Sequence, residues 1–182
     1  MAAAPAEIKL SATILLLRDG EAGLEVFMVQ RHHQIDFATG ALVFPGGKVE
    51  PGDEAGDMRR HCRGVEALDD TQLTARVAAI RETFEESGVL LARPRGEHEL
   101  VCASRLAGLE QRFRNDLCAG RAVLREMVEA ESLELACDLL VPFAHWITPE
   151  VLPKRFDTWF YLVPAPADQL ALHDGQESVD SL

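Results

Sequence analysis

The chain has 182 residues, of which 47% are hydrophobic and 26% charged, with a formal net charge of −12. That length allows one domain with a real core, and the acidic balance argues against nonspecific binding to nucleic acid or to an anionic membrane. No apolar run reaches membrane-spanning length, and the four scattered cysteines, Cys62, Cys102, Cys118 and Cys137, form no CxxC pair of the kind that marks a zinc site.

Residues 1–6 read as a loose Ala-rich tail, too short and lacking the basic start of a signal peptide. The expected setting is therefore the cytoplasm, with the cysteines as isolated buried thiols. Ile8 to Arg18 contains the continuous apolar run Ala12–Leu17 and reads as a buried strand. Leu24 to Arg31 reads as a second strand, with Asp19-Gly20-Glu21-Ala22-Gly23 as the hairpin turn. His32 to Thr39 is a polar loop, with His32-His33 its surface. Ala41 to Phe44 is a short strand that enters the turn Pro45-Gly46-Gly47, where glycine backbone can approach a ligand closely.

From Glu54 to about Leu68 the chain is rich in charge and glycine and reads as a surface excursion with a short helix around Met58-Arg59-Arg60. A better helix begins at Thr71, with Asp69 or Asp70 as N-cap. Its apolar stripe is Leu73, Val77, Ile80 and Phe84, with Gly88 as the C′ residue. Glu82, Glu85 and Glu86 stand at i, i+3 and i+4 and share one face, near the edge of the surface left by that stripe. Three carboxylates on one face repel unless something positive sits among them. A hard divalent cation, which prefers carboxylate oxygens and often bridges to substrate phosphates, is the natural guest, and Arg81 can pair with Glu85 at i, i+4. The competing reading, solvated charges on an exposed helix, suits a bare Glu-Glu pair better than it suits three glutamates downstream of a glycine turn.

Leu90 to Ala92 starts a further leg, broken by Pro94. Ser104 to about Glu131 has a helical pattern, with Leu106, Leu109 and Phe113 in one stripe and Val123, Leu124, Met127 and Val128 in another, separated at Gly120. Leu139 to Ile147 and Phe156 to Val163 read as strands flanking the loop Thr148 to Pro153, and Glu177 to Leu182 as the start of another. Arg31, Lys48 and Arg155 are candidate phosphate contacts, each weighed against an ordinary surface charge. Phe156, Trp159 and Trp146 are candidates for stacking on a base, weighed against packing. Glu177 is a late candidate carboxylate.

Gly47, Asp53, Arg81, Glu82, Glu85, Glu86, Gly88 and Val89 resemble the Nudix hydrolase motif G-x5-E-x7-R-E-U-x-E-E-x-G-U, with Asp53 where the pattern has Glu and Thr83 at the first U. Residues 54–80 stand where the pattern has seven, so about twenty residues are inserted inside the motif. An interrupted motif resembles the peroxisomal coenzyme A diphosphatase subgroup and its bacterial relatives. So do Gln30-Arg31 followed by Gly40–Gly47, Trp146-Ile147-Thr148-Pro149, and Pro153 to Phe160. The fuller coenzyme A pattern has Arg where this chain has Asp36, and Asp180-Ser181-Leu182 is not the peroxisomal Ser-Lys-Leu address.

The resemblance implies an α/β/α sandwich with a mixed sheet, forming a single domain over residues 1–182. Residues 54–70 would be an insertion within the box, and 104–131 a helical insertion. It also implies a further strand and helix near the C-terminus, so that either the C-terminal end is truncated, the favoured expectation, or the sandwich is closed another way. The implied reaction is Mg²⁺-dependent (or Mn²⁺-dependent) hydrolysis of the diphosphate bond in a nucleoside diphosphate linked to another group, a coenzyme A derivative being the leading substrate. Glu85 and Glu86 would bind the metal, helped by the carbonyl of Gly46 or Gly47. Glu82 would be a further ligand or the group that orients and deprotonates water, and Arg81 would orient the carboxylates. Asp53 is either part of this array or a turn-capping residue. The partner is a nucleotide-type small molecule, and assembly as a homodimer is in keeping with the family. The alternative is a nucleotide-binding regulatory module that keeps the fold without the chemistry.

Overall fold

The computed structural model describes residues 6–31, 41–169 and 178–181, with Arg31 and 178–181 as backbone only. The central element is β1 (Ile8–Gly20), whose Ala12, Ile14 and Leu16 are essentially inaccessible to solvent. A two-residue turn leads from Gly20 into β2 (Gly23–Val26), and Gly20 and Gly23 face each other across it. The chain then changes sheets. β3 (Val29–Arg31) leaves β1 and pairs with β4 (Leu42–Val43) on one side and β10 (Ser178–Ser181) on the other. The single strand expected over Leu24 to Arg31 is thus two strands in two sheets, broken at Phe27-Met28. An unbroken β-favouring composition does not reveal which neighbour each half will pair with.

β5 (Gly46–Lys48) returns antiparallel to β1, with Thr13, Ala12 and Ser11 opposite Gly46, Gly47 and Lys48. On the other edge of β1 lies β9 (Arg155–Pro164), parallel to it, and then β8 (Val141–Ile147), antiparallel to β9. The sheet is therefore mixed and the fold class α/β, as expected. A small third sheet joins β6 (Ala92–Pro94) to β7 (Leu133–Leu135).

One helix, α2 (Asp70–Ser87), packs on β1 and β5, with the two short helices α1 (Ala55–Met58) and α4 (Asn115–Cys118) and two 3-10 turns against its other faces. Asp69 caps it, accepting from Gln72 N–H at 2.8 Å while Gln72 returns a bond to Asp69 N–H, and Gly88 ends it with φ 75°. Leu73, Val77, Ile80 and Phe84 are fully buried, as the stripe requires, but so are Ala75, Ala78 and Ala79. Small residues on the remaining faces let neighbours close in from every side. Thr83 and Ser87 are buried as well, their hydroxyls turned back to the carbonyls of Ala79 and Thr83 at 2.8 and 2.6 Å.

The segment after Asp53 is no surface excursion. It forms α1 (Ala55–Met58) and a 3-10 turn (Arg59–His61), and it buries Ala55, Met58, His61 and Val65. Its charge density hid this, because the apolar residues that enter the core are few and widely spaced. The helical layer begins with α3 (Ala103–Leu109), which continues through a π-turn (Glu110–Arg114) into α4 (Asn115–Cys118). The chain breaks near Gly120, at φ 64°, before α5 (Leu124–Ala130). Leu106, Leu109, Leu124, Met127 and Val128 all enter the core. Past β9, buried Gln169 accepts from Leu90 N–H at 2.9 Å and donates to the carbonyls of Leu90 and Val101, fastening this segment to the core. Among the described residues, no helix is long and apolar enough to cross a membrane. The tail up to Pro5, the loop His32 to Thr39 and the candidate Glu177 lie outside the described residues.

Candidate active site

The glycine turn and the C-terminal half of α2 meet where β5 pairs with β1. Gly46 N–H donates to Glu86 Oε2 at 2.9 Å. Gly47 lies so close to Glu82 that a Cβ added there would stand 2.5 Å from Glu82 Cδ. A Cβ on Gly46 would meet backbone instead, 2.7 Å from Thr13 Cα. Both glycines are thus required by close approach. One lets the turn pack on β1, and the other leaves room for a carboxylate.

Arg81 organises the carboxylates. Its Nε donates to Asp53 Oδ1 at 2.9 Å and a terminal nitrogen donates to Asp53 Oδ2 at 3.0 Å, so the pair is bidentate. That same nitrogen reaches the Lys48 carbonyl at 3.0 Å and Glu82 Oε1 at 3.0 Å, and the other terminal nitrogen reaches Glu85 Oε1 at 3.2 Å. Asp53 is wholly buried and Arg81 nearly so. Asp53 also accepts from Glu50 N–H at 2.9 Å, closing the 3-10 turn Pro51–Asp53. Asp53 is therefore both turn cap and ion-pair partner, a combination that its place in the motif pointed to and local sequence could not resolve.

The carboxylates are largely shielded from solvent rather than standing on an exposed face. Burial pushes the Glu82 carboxyl up to about 7, with Arg81 opposing and the Glu85 charge adding to the rise. Burial likewise raises Glu85, again against Arg81. Burial works against the Arg81 charge, but Glu82, Asp53 and Glu85 overcome it and hold the guanidinium above its ordinary value. One guanidinium thus faces Asp53, Glu82 and Glu85, with Glu86 beside them on the turn. The π-turn closes the far end. Arg114 Nε donates to Glu85 O at 3.0 Å and a terminal nitrogen to Glu110 Oε1 at 3.1 Å, both against Gly88. Glu110 and Arg114 were not among the sequence candidates, since only the break in helical register brings them here.

The donor types fit a hard divalent cation: more carboxylates than the single Arg81 guanidinium can balance, next to the backbone of two glycines. Among the described residues, however, no three His, Cys, Asp or Glu side chains converge on one point. Glu82 and Glu85 turn toward Arg81 instead, and would have to swing from it to gather around an ion.

The other candidates are dispersed. Lys48 contributes its carbonyl to Arg81, while its amine pairs with Glu50 at 3.4 Å. Arg155 opens β9, across β1 from the glycine turn, and donates to Thr148 O at 3.2 Å. Arg31 lies in β3. Trp159 stacks on His145 with centroids 4.2 Å apart, and His145 pairs closely with Asp157. Exposed Trp146 leans on Phe160 at 5.8 Å.

A family model described as the NUDT19 Nudix domain matches residues 58–181. The chain belongs to the Nudix hydrolase family. The matched stretch takes in the Arg81–Val89 half of the Nudix box, and Gly47 and Asp53 lie just upstream of it. A crystal structure of a Nudix hydrolase from Alicyclobacillus acidocaldarius superposes with a TM-score of 0.77 at 32% identity, covering 98% of this chain and 79% of that one. Among curated proteins, an acyl-coenzyme A diphosphatase NUDT19 from Xenopus laevis is 25% identical over 84% of this chain. A putative nudix hydrolase 7 from Caenorhabditis elegans is 31% identical over 76%. The chain spans half or less of those two relatives, 50% and 39% of their lengths. Nudix hydrolases generally use divalent metal ions and act on nucleotide-derived small molecules, and the clustered carboxylates suit the first of these.

Proposed function

We propose that this domain hydrolyses the diphosphate bond of a nucleoside diphosphate joined to another group, with Mg²⁺ or Mn²⁺, and that its substrate is coenzyme A or an acyl derivative. The observation that carries the reading is the placing of Glu82, Glu85 and Glu86 against Gly46 and Gly47, around an Arg81 fixed by Asp53. The name of the Xenopus laevis relative supports the coenzyme A substrate.

The reaction breaks a bond between two negatively charged phosphates, so negative charge must be offset and water positioned. A bound divalent cation supplies charge neutralisation and a more acidic water. Glu85 and Glu86 would hold it, with a carbonyl of Gly46 or Gly47, and Glu82 would be either a further ligand or the group that orients and deprotonates water. In the base role, Glu82 stands between Gly47 and Arg81, next to the residues that would hold the ion and its water. Arg81 keeps Glu82 and Glu85 in register. The substrate is an anion approaching an acidic protein, so the cation also carries its attraction to the site.

The test is cation-dependent turnover on coenzyme A, acetyl-coenzyme A, ADP-ribose, NADH and a diadenosine polyphosphate, read by separating the nucleotide products. Turnover that survives Glu85→Gln or Glu86→Gln sinks the site. One observation favours a second reading, a nucleotide-binding module: the carboxylates are engaged with Arg81 rather than gathered for an ion. Tight nucleotide binding without turnover on any of the five substrates decides for that reading.

A further inference from the structure

Cys62 and Cys137 are distant in the chain and adjacent in the fold, contrary to the expectation of isolated thiols. Cys62 follows the 3-10 turn Arg59–His61, and Cys137 opens another, Cys137–Leu139, just after β7. The two backbones are laced together. Cys62 forms a parallel bridge with Leu135, and Arg63 N–H donates to Leu135 O at 2.9 Å. Gly64, at φ 72°, lies so near the second segment that a Cβ there would stand 2.6 Å from Asp138 Cβ. Cys62 packs against the core cluster that contains Cys137. Cys137 is buried within the core, whereas Cys62 is half-buried and within reach of solvent.

We propose that Cys62 and Cys137 are a redox-responsive pair that closes to an intramolecular disulfide in the presence of a low-molecular-weight disulfide, fastening the segment between the two halves of the Nudix box to the turn after β7. The Cys62 thiolate attacks one sulfur of the small disulfide and expels the first small thiolate, leaving a mixed disulfide on Cys62. Cys137 then gives up its proton and attacks the Cys62 sulfur, expelling the second. Two protein thiols are oxidised to one disulfide, one small disulfide is reduced to two thiols, and the two protein protons end on them. The order follows from burial, because Cys137 is shielded from a bulky oxidant. In the reduced protein the neighbouring Cys62 thiol and burial push the Cys137 thiol up, Arg76 opposing and Asp138 adding to the rise. Bond formation draws the sulfurs to about 2.05 Å, between backbones already joined at Cys62 and Leu135. It closes a long loop, which restricts the unfolded chain more than the native one.

The experiment uses the full chain carrying Cys102→Ser and Cys118→Ser, which removes the two exposed thiols. It is incubated with oxidised glutathione and followed by intact mass, non-reducing peptide mapping and thermal unfolding. The expected product has lost the mass of two hydrogens, yields a Cys62–Cys137 cross-linked peptide, and unfolds at a higher temperature that dithiothreitol restores to the starting value. A further Cys137→Ser change stops the reaction at a glutathione adduct on Cys62. An unmodified protein, an adduct that persists on Cys62 while Cys137 is present, or a cross-link between two chains each overturns the proposal. The peptide map of the Cys62/Cys137-intact protein decides even where the Cys137→Ser variant does not fold.

Discussion

Arg81 grips both oxygens of Asp53 from inside the protein, across the whole segment that interrupts the Nudix box. The pair joins the two halves of the box, and it explains how a long interruption leaves the carboxylates beside the glycine turn. It also gives the Asp at this position a reason. The 3-10 turn Pro51–Asp53 brings the backbone close enough that a shorter side chain completes the reach.

Removing Asp53 takes away the bidentate partner of a buried Arg81 and leaves it only Glu82 and Glu85 as carboxylate partners. Asp53→Ala is expected to cost about 3–5 kcal/mol of stability and to abolish turnover, measured by urea unfolding and by product release. A loss below about 0.5 kcal/mol would mean that the pair is no anchor.

The two glycines of the turn are expected to fail differently. Gly47→Ala meets only the flexible end of Glu82, so it should displace that carboxylate and cut kcat by roughly tenfold or more, with the unfolding midpoint nearly unchanged. Gly46→Ala meets the backbone of β1 and should destabilise the fold itself, by about 1–3 kcal/mol. Equal stability losses in the two variants would contradict the geometry.

A divalent cation that relieves the crowding of carboxylates should stabilise the fold by binding the native state. The unfolding midpoint is expected to rise with Mg²⁺ or Mn²⁺ in the native sequence and to stay flat in Glu86→Gln. This readout is independent of any substrate.

Met58 tests the reassignment of the interrupting segment. Met58→Ala opens a hole in the core and should cost about 2–5 kcal/mol, whereas a surface excursion would tolerate it.

His61 supplies a pH dependence away from the site. Burial lowers its pKa from 6.5, helped by Arg60 and Arg95 and opposed by Glu129, because the folded protein favours the neutral ring. A depressed folded pKa means that this contribution is fully present above pH 6.5 and is lost as pH falls through 6.5 toward the folded value. Between about pH 7.5 and 5.5 the native sequence should lose more stability than His61→Gln. Parallel losses in the two proteins would remove His61 from the account.

The carboxylate helix was legible in detail because its information is local. The stripe Leu73–Phe84 and the three glutamates at i, i+3 and i+4 follow from one helical period, and the Gly88 terminus from local cap chemistry, while the structure chose Asp69 over Asp70 as the cap. The strands were legible as apolar runs, though their partners were not. Leu24 to Arg31 shows no sign in its composition that it divides between two sheets.

Sequence alone therefore determined the α/β class, the acidic helix and its pairing with a glycine turn, since periodicity and turn chemistry act over a few residues. Tertiary structure decided what depends on contacts between distant segments: the burial of the glutamates, the joining of Asp53 to Arg81, the entry of Met58 into the core, and the meeting of Cys62 with Cys137. Burial and charge pairing are properties of neighbours in space, and the order of residues along a chain specifies those neighbours only through the fold.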